Sequence, residues 1–137
     1  MKKTMWLLLC QHNGKTTDKL IGEEQEITFN PNKREHDCLV SVGEQITISK
    51  LCMCLNEKGI NSISLTGWQI PIVTDNNFGD ANIKFIGTER IKKELSKGNV
   101  VVIAGFQGID DDKNITTLGR GRVRYYSSCY SCQFKSW

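Results

Sequence analysis

Residues 88–108 read TERIKKELSKGNVVVIAGFQG, and this stretch decides the fold. Ile91 and Leu95 stand one helical turn apart, Thr88 occupies a cap position, Lys97 lies in the last turn and Gly98 is a stop. Asn99 then leads into Val100-Val101-Val102-Ile103-Ala104, a continuous apolar run of strand length. A strand buried on both faces reads this way, and such strands belong to parallel sheets covered by helices. With Ile83–Ile86 as a strand ahead of the helix, the succession of strand, helix and buried strand argues for an α/β fold. Ligands in such sheets gather at the carboxyl ends of strands, which directs attention to Gly105-Phe106-Gln107-Gly108.

Working back from this unit, Ser62-Ile63-Ser64-Leu65 alternates like a strand and Ile70-Pro71-Ile72-Val73 makes a second short apolar run. Residues 76–80, Asn-Asn-Phe-Gly-Asp, read as a turn. Gly43-Glu44 precedes Ile46, Ile48, Leu51, Cys52 and Leu55, a pattern that predicts a helix of about four turns with a buried stripe, stopping at Gly59. Asn30-Pro31-Asn32 breaks the chain ahead of it. Before the break, Thr16-Thr17-Asp18 offers cap residues for a helix carrying Leu20, Ile21 and Ile27.

The 137 residues fit one domain. An apolar share of 39%, about 45% with the glycines counted and the tyrosines left out, excludes a wholly disordered chain. Six cysteines are too sparse for a disulfide scaffold, and the apolar run Trp6–Cys10 is far short of the roughly 20 residues that span a bilayer. Lys2 and Lys3 before that run give it the opening of a secretory signal. The apolar core is too short for one, however, and no small-residue cleavage site precedes Cys10. A short buried strand or an unstructured start is the expectation. The net charge of +3 resides in residues 122–137, which hold Arg122, Arg124 and Lys135, no acid, and all three tyrosines. Composition changes abruptly after Gly121.

Few motifs survive scrutiny. Gly14-Lys15-Thr16 resembles the end of a phosphate-binding loop, but that motif needs a glycine where Leu9 stands. Cys129-Tyr-Ser-Cys132 supplies half of a zinc site, with no second pair at matching spacing: Cys52-Met-Cys54 is too close, and His12 and His36 stand alone. Three arginines beside Tyr125 and Tyr126 make a weak footprint for single-stranded nucleic acid. Thr116-Thr117-Leu118-Gly119-Arg120-Gly121 is more suggestive, because two glycines let the backbone approach a ligand and the arginine fork between them matches a carboxylate. By its residues alone this segment reads equally as an anion pocket and as a surface turn.

Five stretches together resemble the aspartokinases of the amino-acid kinase family. They are Gly14-Lys-Thr-Thr-Asp-Lys-Leu20, Ser41-Val-Gly-Glu-Gln45, Ser64-Leu-Thr-Gly-Trp-Gln69, Val101-Val-Ile-Ala-Gly-Phe-Gln-Gly108 and Ile115-Thr-Thr-Leu-Gly-Arg-Gly121, in the family's order. The resemblance implies a three-layer αβα sandwich with a mainly parallel sheet, here incomplete. It implies a cytoplasmic enzyme that phosphorylates L-aspartate to 4-phospho-L-aspartate with ATP and Mg2+, the step that opens lysine, threonine and methionine synthesis. Thr17 matches the threonine of the aspartate site. Glu44 matches the acid that holds the substrate amino group, and Arg120 the arginine that clamps its α-carboxylate. A zwitterion needs such a pair of opposite charges, and burial strengthens both contacts.

Residues 1–13 and 122–137 do not match the family, so the expected organisation is a partial kinase domain over 14–121 with unrelated ends. The family's opening Lys-Phe/Tyr-Gly-Gly segment and its Gly-Ser-Asp-Thr segment are missing, and phosphoryl transfer relies on such positioning and charge-neutralising groups. The chain is therefore expected to be a truncated or frameshifted fragment, inactive alone, with Val100–Ala104 partly exposed. The alternative is a non-catalytic remnant that binds an intact kinase subunit. A homo-oligomer is compatible with the resemblance, and neither nucleic acid nor a membrane is expected as a partner.

Overall fold

The computed structural model describes residues 7–10 and 14–119. Its centre is the run already singled out. Strand β5 (Val100–Ala104) lies between β1 (Leu7–Cys10) and β2 (Ser62–Leu65), parallel to both, in a three-stranded sheet. Val101, Val102, Ile103 and Ala104 are fully buried, so the expected partial exposure of this strand is wrong for all but Val100. The reason is that β1 covers one side of β5, so the sheet extends into the segment ahead of residue 14.

Alternate residues of β5 serve opposite layers, as the two-residue period of a strand requires. Val101 and Ile103 join Ile91 and Leu95 of helix α3 (Glu89–Ser96), together with Leu65, Ile70, Ile72 and Leu118. Val102 and Ala104 pack instead with Ile48 and Cys52 of helix α2 (Lys33–Glu57). Helices on both faces of a parallel sheet give the α/β sandwich expected. Beside it stands a four-stranded mixed sheet in the order β4 (Ile83–Ile86), β3 (Ile72–Thr74), β6 (Gln107–Ile109), β7 (Ile115–Thr117). Its β3–β6 pairing is parallel, and its β3–β4 and β6–β7 pairings are antiparallel.

Two helices differ from their sequence expectations. Helix α2 begins ten residues before Gly43, at Lys33, with Asn32 as its cap: the Asn32 side chain accepts from the Arg34 N–H at 3.0 Å. Gly43-Glu44 is therefore mid-helix, and Ile46 faces outward, 38% exposed. Over 18 residues α2 is long and apolar enough to cross a bilayer, but its inner face carries Asp37, Ser41 and Glu44, all fully buried against the protein. Helix α1 (Gly14–Ile27) starts at Gly14 rather than after Thr16, and it buries Thr17 and Glu24, two turns apart, while Ile27 is 85% exposed. Glu24 accounts for this choice: both its carboxylate oxygens lie 2.8 Å from His36 Nδ1, fastening α1 to α2 across the Pro31 break.

Asp37 performs the corresponding task toward the mixed sheet. Its buried carboxylate accepts from the Thr117 N–H at 2.8 Å, the Thr117 hydroxyl at 2.8 Å and the Gly79 N–H at 2.9 Å. Gly79 has φ +83°, a left-handed turn conformation that suits glycine, so the turn expected at 76–80 is held by a helix as well as by its own backbone.

Thr88 stands at the start of α3 but makes no side-chain cap bond; the helix is secured at its other end. Glu94 receives Lys97 Nζ at 3.0 Å, Arg90 Nε at 3.1 Å and Asn99 Nδ2 at 2.9 Å, which joins the end of α3 to the start of β5. The Lys97 bond holds the Glu94 carboxyl below the ordinary carboxylate range; burial opposes this, and Asn99 and the Arg90 charge reinforce it. A carboxyl with a depressed folded pKa stabilises the fold above its unfolded pKa, and that contribution is lost as pH falls through the folded value. Acid titration monitored by circular dichroism should show a stability loss below about pH 4.5, shallower in Glu94→Gln. For the core, Ile103→Ala should cost about 2–5 kcal/mol in urea melts, whereas Ile27→Ala should stay within about 0.5 kcal/mol of wild type.

Candidate active site

The carboxyl end of β5 is where α1, α2 and the β6–β7 hairpin meet. Glu44 is fully buried in the middle of α2, and its Oε2 accepts from the Phe106 N–H at 2.9 Å. Phe106 occupies the turn that carries the chain from β5 into β6. The same turn accepts through its Phe106 carbonyl from the Leu118 N–H at 2.9 Å, just beyond β7. Two hydrogen bonds therefore link the buried carboxylate to residue 118.

Thr17 comes to this place from α1. Its hydroxyl is buried and lies against the backbone of Gly43, next to Glu44: a methyl group added at Gly43 would stand 3.2 Å from Thr17 Oγ1. A glycine at 43 thus lets α1 and α2 approach closely at the residue before Glu44. Close backbone approach recurs nearby. A Cβ on Gly67 would meet the Gln107 carbonyl oxygen at 2.4 Å, and one on Gly108 would meet the Ile72 carbonyl oxygen at 2.7 Å.

Of the three residues selected from the sequence, Glu44 lies buried in α2, and Thr17 of α1 packs against Gly43, the residue before it. Arg120 lies outside the described residues, as do His12, Cys129, Cys132 and the basic tail. Gly119, its neighbour, follows Leu118 at the Phe106 turn. Sequence reasoning missed Gln107, which is fully buried and donates from Nε2 to the Ser41 carbonyl at 3.1 Å. The signal was present: a large polar residue between two glycines in an apolar strand region needs a reason to be there. It also missed Asp37, whose place on the helix becomes apparent only once α2 is known to start at Lys33.

The described site is built from oxygen acceptors (the Glu44 carboxylate, the Thr17 hydroxyl and the Gln107 amide) and from backbone amides already engaged. That chemistry suits an ammonium group and does not cradle a polyphosphate, which wants amide and cationic donors. Among the described residues no group of three or more His, Cys, Asp or Glu side chains is placed to ligate a metal ion.

Known proteins share this sequence and fold. The sequence model of the amino acid kinase family matches residues 7–124. An aspartokinase of Bacillus sp. (strain MGA3) is 56% identical over 108 residues, covering 79% of this chain. Aspartokinase 2 of Bacillus subtilis (strain 168) is 49% identical over the same length. The chain spans 26% of the length of each of these relatives. Among solved structures, the aspartate kinase of Synechocystis superposes with a TM-score of 0.71 at 36% identity, over 91% of this chain and 20% of that one. E. coli aspartokinase III in complex with aspartate and ADP shares the fold with a TM-score of 0.69 at 20% identity, over 85% of this chain and 27% of that one. The family match runs from the first strand of the central sheet past the β6–β7 hairpin, and the chain belongs to the amino acid kinase family.

Proposed function

We propose that this chain carries the substrate half of an aspartate kinase, the part that binds L-aspartate for phosphorylation of its side-chain carboxylate. One observation carries the reading. A fully buried glutamate, fixed by the Phe106 N–H, sits at the carboxyl end of the central strand, in a segment 56% identical to an aspartokinase. A buried carboxylate in that position attracts an ammonium group far more strongly than one in water. Glu44 binds the α-ammonium in this reading. Arg120 binds the α-carboxylate, two residues beyond the amide that is bonded to Phe106. Thr17 bounds the pocket on the α1 side.

ATP is the phosphoryl donor and Mg2+ its counter-ion in this reading, in the cytoplasm, on the pattern of the family. The acceptor-rich site does not itself fit the polyphosphate, so what the chain supplies is orientation of the acceptor. Positioning is a large part of phosphoryl-transfer catalysis, and an acceptor carboxylate held by its far end is a positioned nucleophile.

Calorimetric titration of the purified chain with L-aspartate tests the reading. Binding is expected for wild type, with a loss of about tenfold or more for Glu44→Gln, equivalent to about 1.4 kcal/mol. A hydroxamate assay with ATP and Mg2+ should detect no aspartyl phosphate from the chain alone. Absence of L-aspartate binding by a folded wild-type chain would sink the assignment.

A further inference from the structure

Gln107 is wholly buried, yet among the described residues only half of its amide has a partner. Nε2 donates to the Ser41 carbonyl, and because a carbonyl can only accept, the amide is held in one orientation. Its other end, Oε1, is buried with no hydrogen-bond partner among the described residues. Leaving a buried carbonyl oxygen unpaired costs about 1–3 kcal/mol, and an apolar side chain of equal length would avoid that cost. A retained cost of this kind points to a ligand.

Its position names the ligand chemistry. The carbonyl that Gln107 holds belongs to the main chain of Ser41, one turn before Glu44 in α2. Phe106, adjacent to Gln107, places its N–H on Glu44. The Gln107 amide and the Glu44 carboxylate thus belong to one buried neighbourhood. An ammonium brings three donors and no acceptor, more than one carboxylate satisfies in a site without water. A neutral amide oxygen supplies a further acceptor without adding a second buried charge.

We propose that Gln107 is a specificity-determining residue: its Oε1 accepts from the substrate α-ammonium beside Glu44, so the site prefers an α-amino dicarboxylate to its deaminated analogue. This rests on the aspartate-binding reading above. The test titrates the full chain with L-aspartate and with succinate, which keeps both carboxylates and lacks the ammonium. Gln107→Met removes both hydrogen-bonding functions at similar volume; L-aspartate affinity should fall about tenfold, with succinate affinity unchanged. Gln107→Glu breaks the bond to Ser41 and adds a buried charge but keeps acceptors for the ammonium, and should lose less L-aspartate affinity than Gln107→Met. In the unmutated chain, the Gln107 side-chain NH2 resonances should shift on saturation with L-aspartate; this measurement serves if Gln107→Met does not fold. Equal losses for both ligands, equal damage from the two variants, or unmoved resonances would assign Gln107 to holding Ser41 alone and overturn the proposal. A wild-type chain that binds no L-aspartate defeats the underlying reading, whereas variants that behave alike while wild type binds defeat only this inference.

Discussion

The hydrogen bond from the Phe106 N–H to Glu44 joins residues 62 positions apart, and the arrangement of the site depends on it. A buried carboxylate must be hydrogen-bonded or neutralised, because desolvating its charge alone is prohibitive. By taking the amide of the turn after β5, Glu44 fixes α2 against the carboxyl end of the central strand. The turn then passes the constraint on, since its carbonyl holds Leu118 and so the exit from β7. An interaction made to satisfy a buried charge thereby sets the relative positions of two sheets and a helix.

Along α2, residues 37, 41, 44, 48 and 52 form one stripe that changes character midway. Its first half is polar and grips the hairpin of the mixed sheet: Asp37 to Thr117, the Ser41 carbonyl to Gln107, Glu44 to Phe106. Its second half is apolar, Ile48 and Cys52 against Val102 and Ala104 of the parallel sheet. Burial raises the pKa of the Cys52 thiol, with Ser62 and Ser64 opposing it, in keeping with a cysteine that acts as a small core residue. One helix thus serves two sheets with two kinds of bonding.

That change of character explains what could be read from the sequence. The apolar half of the stripe has helical periodicity and was legible, as were β5, whose unbroken valines and isoleucine have no other reading, and α3 with its Ile91–Leu95 pair. The polar half carries no apolar period, so the sequence signal for α2 begins only near Gly43 although the helix begins at Lys33. The inner face of α1 was hidden for the same reason: it is chosen by the Glu24–His36 pairing and by Thr17, not by Ile27. Thr17 and Glu44 themselves became candidates through the family resemblance. The close approach of Thr17 to Gly43 is one that no periodicity encodes.

Gln107 shows why the site is the hardest part to read. Among the described residues, other buried carboxylates are well supplied: Asp37 takes three donors, and Glu94 gathers Lys97, Arg90 and Asn99. Thr17 Oγ1 and Gln107 Oε1 reverse the pattern, both desolvated and lacking partners among the described residues. A fold optimised for stability alone would place apolar atoms there, since each orphaned acceptor subtracts about 1–3 kcal/mol. A fold that must receive a small cationic group gains from keeping them. Acceptors already desolvated and oriented need no reorganisation when the ligand arrives, so the cost borne in folding returns as selectivity in binding. Two unsatisfied polar atoms in a described network that is otherwise well paired are therefore a stronger pointer to the proposed binding site than either residue alone.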